Sequence, residues 1–167
     1  MTRPIPNANE LTFEDNEFIV SKTDMKGKIT YGNELFIRIS GYDENELLGA
    51  PHNILRHPDM PKTVFWKLWD AIQKGHEVFA YVKNLTKNGS FYWVYAQVTP
   101  SFDKANQIIG YHSVRRKPGR EQIQKVDAIY RQLLDAEKSG GLSAGQERLN
   151  KMLEKEGKAY DEFIFTL

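Results

Sequence analysis

The sequence predicts an α+β domain in which short helices gather on one side of a five-stranded antiparallel sheet, with a C-terminal helical hairpin added. Three observations predict it. Two β-rich runs open the domain around a turn, helical periodicity follows, and three long β-rich runs close it around hairpin signals. Strands at both ends with helices between them fit a sheet whose helices are segregated to one face.

Taken in order, residues 1–17 are polar and Pro/Asn-rich and read as a loose arm with one short helical turn near Leu11 to Asn16. Residues 18–117 form the domain. Phe18 to Thr23 reads as a strand, Asp24-Met25-Lys26-Gly27 as a turn, and Lys28 to Tyr31 as the returning strand. Leu35, Phe36 and Ile39 recur at helical spacing until Gly41, and Asp43 with Glu46 has capping-box spacing for the next helix. Beyond a Pro-rich segment, Val64, Phe65, Leu68, Trp69 and Ile72 form one apolar stripe, with Pro61 in the first helical turn and Gly75 as the stop. Val78 to Lys87 and Phe91 to Thr99 flank Asn88-Gly89, a strong hairpin signal, and Gln107 to Arg116 supplies the last strand. Residues 118–167 turn to helix formers. Ile123, Val126, Tyr130 and Leu133 line one face up to Ser139-Gly140-Gly141, and Leu149, Met152, Leu153, Tyr160, Phe163 and Ile164 line a second helix from Ser143. Such stripes serve either to shield the sheet or to make a dimer or partner surface.

The 167 residues are 40% hydrophobic, 27% charged and 12% aromatic, a composition that buries a core rather than staying disordered. With 23 Lys and Arg against 22 Asp and Glu, there is no basic excess for nucleic acid. The longest apolar run, Phe91 to Ala96, is far short of the roughly 20 residues that cross a bilayer. No apolar signal region opens the chain, so a cytoplasmic protein is expected. Cysteine is absent, which excludes disulfides, thiolate-held metal clusters and covalent cysteinyl adducts.

The densest chemical constellation is Pro51-His52-Asn53-Ile54-Leu55-Arg56-His57-Pro58-Asp59-Met60-Pro61. Irregular, Pro-rich backbone before a helix can turn polar groups toward a ligand, or it can simply start the helix. Arg56 suits a planar acceptor or a phosphate, and Asp59 suits the following helix N-terminus. Trp69 fits either a core position or a face that stacks on a flat cofactor. Asn84 interrupts a β-favouring strand; an inward carboxamide would present both donor and acceptor to a heterocycle, an outward one only solvent contact. His52, His57, His76 and His112 lack metal-site spacing, and no metal centre is expected. Phosphate loops, nucleophile elbows and paired catalytic carboxylates are missing, and no catalytic residue is assigned.

The segments Ile29 to Phe36, Ser40-Gly41-Tyr42 and Glu46-Leu47-Leu48-Gly49 resemble the first half of a PAS domain. The string Arg56-His57-Pro58-Asp59-Met60-Pro61, with Pro51-His52-Asn53, Lys83-Asn84, Lys87-Asn88-Gly89 and Tyr92-Trp93-Val94, is similar to the FAD-binding PAS domain of bacterial aerotaxis and energy-taxis receptors. The resemblance runs from about Phe18 to Arg116 and implies a PAS fold that holds FAD noncovalently between sheet and helices. By matching position, Arg56, His57, Asp59, Trp69 and Asn84 would be cofactor-related, with Asn33 and Asn53 as further members. Lys26 in the first hairpin would lie away from that site.

The implied role is a redox sensor without catalytic turnover, in which nearby donors readjust their hydrogen bonds when the flavin is reduced. Arg56 would meet either the anionic reduced ring or the pyrophosphate. The chain ends at Leu167 without an anchor or signalling domain, so it resembles the stand-alone PAS subunit of a bipartite energy-taxis system. Its expected partner is a membrane chemoreceptor-like protein, with homodimerisation through the PAS domain or the C-terminal helices as an option. Without cysteine, a photochemical cysteinyl–flavin adduct is excluded and redox sensing remains. The competing readings are a haem-binding PAS gas sensor using His52, His57 or His112, a cofactor-free PAS interaction module, and a flavin-dependent oxidoreductase.

Overall fold

The structure is a computed structural model and describes residues 2–167. Its strands are β1 (Ile19–Thr23), β2 (Ile29–Gly32), β3 (Val78–Leu85), β4 (Phe91–Phe102) and β5 (Ile108–Arg116), in the order β2-β1-β5-β4-β3 with every neighbouring pair antiparallel. Between β2 and β3 lie α1 (Glu34–Ser40), α2 (Glu44–Leu47), a 3-10 turn (His52–Leu55) and α3 (Lys62–Gln73). The five-stranded antiparallel sheet with its short helices is therefore present as expected.

Local chemistry sets the boundaries. In the β1–β2 turn, Asp24 Oδ1 accepts from the amides of Lys26 and Lys28 at 2.8 and 2.9 Å. Asn33 starts α1 as its N-cap, its Oδ1 accepting from Phe36 N at 3.1 Å, and Gly41 closes that helix at φ 75°. At α2, Asp43 and Glu46 form the anticipated capping box, the Glu46 carboxylate accepting from the Asp43 amide at 2.9 Å.

Because side chains alternate along strands, the sheet has two distinct faces. Ser21, Ala80, Val82, Asn84, Ala96 and Val98 face the short helices together with Tyr111, Ser113 and Arg115 of β5. Phe79, Tyr81, Trp93 and Tyr95 occupy the opposite face of β3 and β4.

The last elements are α4 (Arg120–Glu156) and α5 (Tyr160–Phe165). Gly141, at φ 69° and ψ −158°, breaks α4 into two helices. Arg148 Nη2 donates to Gln132 Oε1 at 2.7 Å across the break, so the two halves lie side by side as the anticipated hairpin. Gly157 ends the second half, and Tyr160, Phe163 and Ile164 belong to a separate short helix rather than a continuation.

The hairpin packs on its own sheet. The Tyr130 hydroxyl donates to the Tyr81 carbonyl at 2.6 Å, the Tyr160 hydroxyl donates to the Phe79 carbonyl at 3.1 Å, and Tyr130 stacks on Trp93. Both carbonyls belong to the edge strand β3, whose unpaired backbone groups need such partners.

Two local expectations change. The arm is not loose: Asn7 N donates to Gly89 O at 2.9 Å, Leu11 N to Phe91 O at 2.7 Å, and Phe13 is buried. These are backbone pairings, which leave little trace in side-chain patterning. Nor does Asp59 cap α3. Glu137 of the hairpin does so, with Oε1 accepting from Lys62 N at 2.9 Å and Oε2 from Thr63 N at 3.0 Å and Thr63 Oγ1 at 2.8 Å. Among the described residues no helix is long and apolar enough to cross a membrane.

Candidate functional site

A cavity of about 350 Å³ lies between the inner sheet face, the 3-10 turn and α3. Small and medium side chains on the strands leave the space: Ala96, Val82 and Val98 sit where larger residues would fill it. α3 supplies the opposite wall with Phe65, Leu68, Trp69 and Ile72, the stripe read from the sequence, and Trp66 joins them at the rim. Mostly apolar walls with a few convergent polar groups are the usual make-up of a small-molecule site.

Four of the predicted site residues, Asn53, Arg56, Trp69 and Asn84, line this cavity. Arg56 and Asn84 form an isolated antiparallel bridge, which ties the Pro-rich loop to the edge of β3. The Arg56 guanidinium lies 4.6 Å from the Phe65 ring centre, while burial, and after it the Arg3 guanidinium, lowers its pKa. The arm reinforces this loop, because Arg3 Nη2 donates to the carbonyls of Asn53 and Arg56 at 3.2 and 3.0 Å. Trp69 meets Tyr111 edge-on at 5.5 Å. The same indole closes over Gly27, whose φ of 79° and whose 3.0 Å gap between a would-be Cβ and the ring both call for glycine.

The other three predicted residues lie outside the lining. His57 is buried beside Phe91, and its Nδ1 accepts from Asp59 N at 3.0 Å. Burial, followed by the Lys83 ammonium, holds its pKa below the usual histidine range. Asp59 pairs with Lys83 Nζ at 2.7 Å, so His57 and Asp59 brace the loop against β3. Asn33 sits at the start of α1, where its Nδ2 donates to Phe18 O at 2.8 Å and its Oδ1 also accepts from Val20 N at 3.1 Å. Lys26 differs in the other direction. It lies on the cavity rim beside Gly27 rather than away from the site.

The cavity floor holds groups that motif reading did not assign. Arg115 is 3% exposed, its Nη2 donating to Ser21 Oγ at 2.6 Å and its Nη1 lying 3.2 Å from His52 Nε2. Arg115 Nε and the nearby Tyr92 hydroxyl are buried without hydrogen-bond partners. Burial, then the Arg115 charge, pushes the His52 pKa down to about 3, so this imidazole is neutral at physiological pH. The available signal was alternation: Tyr111, Ser113 and Arg115 fall on one face of β5, and that face points inward.

The floor also bears on metal ligation. His52 Nε2 already faces Ser21 Oγ and the Arg115 guanidinium, while His57 and His112 do not line the cavity. Among the described residues no cluster of three His, Asp or Glu side chains is placed to hold a metal ion. The arrangement instead suits a planar heterocycle gripped between apolar walls, with Asn84 and cationic donors at its edges.

Residues 29–115, more than half of the chain, match the PAS fold family. The chain is 38% identical over 132 residues to the aerotaxis receptor of Escherichia coli strain K12, covering 79% of this chain and 26% of that protein. It is 23% identical over 116 residues to the nitrogen fixation regulatory protein of Klebsiella pneumoniae, covering 70% of this chain and 23% of that protein. The chain thus spans about a quarter of the length of these relatives. Among solved structures, it is similar in fold to the dark state of the blue-light photoreceptor Aureochrome1 LOV, with TM-score 0.58, 22% identity, and coverage of 65% of this chain and 79% of the other. A domain from a study of a flavin analogue in a light-oxygen-voltage mechanism gives the same TM-score at 21% identity, covering 65% of this chain and 82% of its own. The matched segment takes in β2 through most of β5, which supply most of the cavity lining, and the chain belongs to the PAS fold family.

Proposed function

We propose that this protein is an FAD-binding redox sensor for aerotaxis or energy taxis that passes the flavin's redox state to a separate membrane chemoreceptor-like protein. The observation that carries the reading is the cavity itself: flat aromatic and aliphatic walls, an inward carboxamide at Asn84 and buried cationic donors, all in one PAS core. Likeness to an aerotaxis receptor supports the choice among PAS sensors.

The residues present fit a flavin. Trp69, Phe65 and Val82 offer apolar faces, Asn84 can both donate and accept at a ring edge, and the half-buried Arg56 at the loop suits a phosphate. A bound flavin would supply reversible electron uptake. Asn84 would exchange donor for acceptor when the ring edge changes its protonation. Its strand β3 continues to the Phe79 and Tyr81 carbonyls that hold Tyr160 and Tyr130, which gives the C-terminal helices a mechanical connection to the site. The role requires no catalytic turnover.

The purified protein should be yellow, with an oxidised-flavin absorption spectrum that bleaches on chemical reduction. Trp69→Ala and Arg56→Ala should lower the flavin content. Colourless protein that also takes up no FAD on native reconstitution refutes the reading, and a Soret band would replace it with haem.

A further inference from the structure

We propose that Arg115 is the anion-recognising residue of the cavity floor and takes the negatively charged edge of a planar heterocycle, leaving the phosphate tail to Arg56 at the mouth. Where the heterocycle is a flavin, this rests on the reading above.

Buried charges in folded proteins are paired, and leaving one unpaired costs several kcal/mol. Arg115 is such a charge. Its neighbours are the Ser21 hydroxyl, the His52 imidazole and the Phe36 ring, whose centre lies 4.9 Å from the guanidinium carbon. Among the described residues, none of those lining the cavity is an Asp or Glu. His52 is kept neutral by the same burial, so it adds no second charge and supplies no counter-charge. Desolvation draws the Arg115 pKa down to about 10, in keeping with a guanidinium enclosed among residues that offer it no carboxylate.

Geometry separates the two arginines. Arg115 is enclosed by β1, β5 and the 3-10 turn, and its Nε is an unsatisfied donor. Arg56 stands half-buried on the loop that leads into α3. A phosphate stays hydrated and favours the mouth. A ring edge carrying a nitrogen and a carbonyl oxygen side by side fits a planar fork of donors in a dry floor. Reduction adds electrons to a flavin ring, and a fixed buried cation favours keeping that charge at the adjacent edge.

The test compares wild type with Arg115→Met, which keeps an unbranched apolar stem and removes the charged head, and with Arg56→Gln. Thermal midpoints are measured on flavin-free protein with and without urate, a planar heterocyclic anion. Dissociation constants are measured for riboflavin, FMN and FAD, each oxidised and reduced. Arg115→Met should raise the flavin-free midpoint by roughly 2–4 °C and abolish stabilisation by urate. It should weaken all three flavins by one common factor of roughly 10 to 100, most strongly when reduced, as expected for one charge-assisted contact. Arg56→Gln should weaken FMN and FAD and spare riboflavin.

A loss confined to FMN and FAD in Arg115→Met would make Arg115 a phosphate reader and overturn the proposal. A lowered flavin-free midpoint with unchanged affinities would make it a structural residue, with the same consequence. If wild type binds none of the flavins, the flavin reading falls and urate decides: stabilisation that Arg115→Met removes upholds the anion site, and its absence ends it.

Discussion

The two faces of β3 and β4 come from the same alternating residues and end in opposite states. On the inner face Val82, Ala96 and Val98 are small or medium side chains, and a cavity remains between them and α3 with Asn84 in its lining. On the outer face Phe79, Tyr81, Trp93 and Tyr95 are large. Tyr81 and Tyr95 lie 4.7 Å apart, Phe165 meets Phe79 at 4.8 Å, and Tyr130 stacks on Trp93 at 6.2 Å. One face is left open for a ligand and the other is closed by the chain's own helices. Residue size along a single hairpin thus separates the binding function from the docking of the C-terminal helices.

The strongest way to break this comparison is to exchange the roles of the faces. Trp93→Ala removes the indole beneath Tyr130 and should cost about 3–5 kcal/mol, read from denaturant or thermal melts. The folded fraction should still retain flavin. Ala96→Leu does the reverse: it fills the cavity, so flavin content should fall at least roughly tenfold while stability changes by about 1 kcal/mol, within the range of tolerated core changes. If Trp93→Ala instead loses flavin without losing stability, the two faces are not independent.

Acid sharpens the same contrast from inside. The folded-state pKa of His52 lies at about 3 against 6.5 for an ordinary histidine, so between these values the unfolded chain binds the extra proton. Stability contributed by the neutral imidazole is complete above pH 6.5 and is lost as pH falls toward 3, at up to about 1.4 kcal/mol per pH unit. His52→Gln should flatten that acid limb in a series of melts. Buried Tyr130 and Tyr160 have raised pKa values through desolvation, so their contribution is present below pH 10 and declines above it. Tyr130→Phe should reduce the alkaline loss relative to wild type. An acid limb identical in wild type and His52→Gln would place the titrating group elsewhere.

Much of this was legible in the sequence, and what was not has physical causes. Strand alternation, Asn88-Gly89 and the Val64 to Ile72 stripe are periodic signals, and each marks an element now seen. Asn53, Arg56, Trp69 and Asn84 were reached through motif likeness, and they do line the cavity. His57, Asp59 and Asn33 belong to the same strings but spend their hydrogen bonds on loop and helix backbone, a distinction that spacing does not carry. Arg115 was missed because its meaning depends on register: only the pairing of Ile19 with Arg115 and Ala96 with Arg115 puts it in the floor. The arm's backbone pairing and the Glu137 cap are long-range contacts with no local signature.

That cap is where the closed face reaches the open one, and it makes the finest test. Pro61 at the head of α3 offers no side-chain cap, so the first helical amides depend on a carboxylate 75 and 74 residues further along. Gly145 packs so tightly against Thr63 and Glu137 that a methyl group there would collide with both, so the hairpin can approach α3 this closely only with glycine at that position. Glu137→Gln keeps one carbonyl acceptor but loses the charge that complements the helix dipole, for a cost of about 1 kcal/mol. Hydrogen exchange should accelerate at the Lys62 and Thr63 amides, with little change at the buried strand amides of β4. Unchanged exchange at those two positions would mean that solvent replaces the carboxylate without loss, and the C-terminal hairpin would then hold the sheet alone and leave α3, with its Trp69 and Phe65, to move independently.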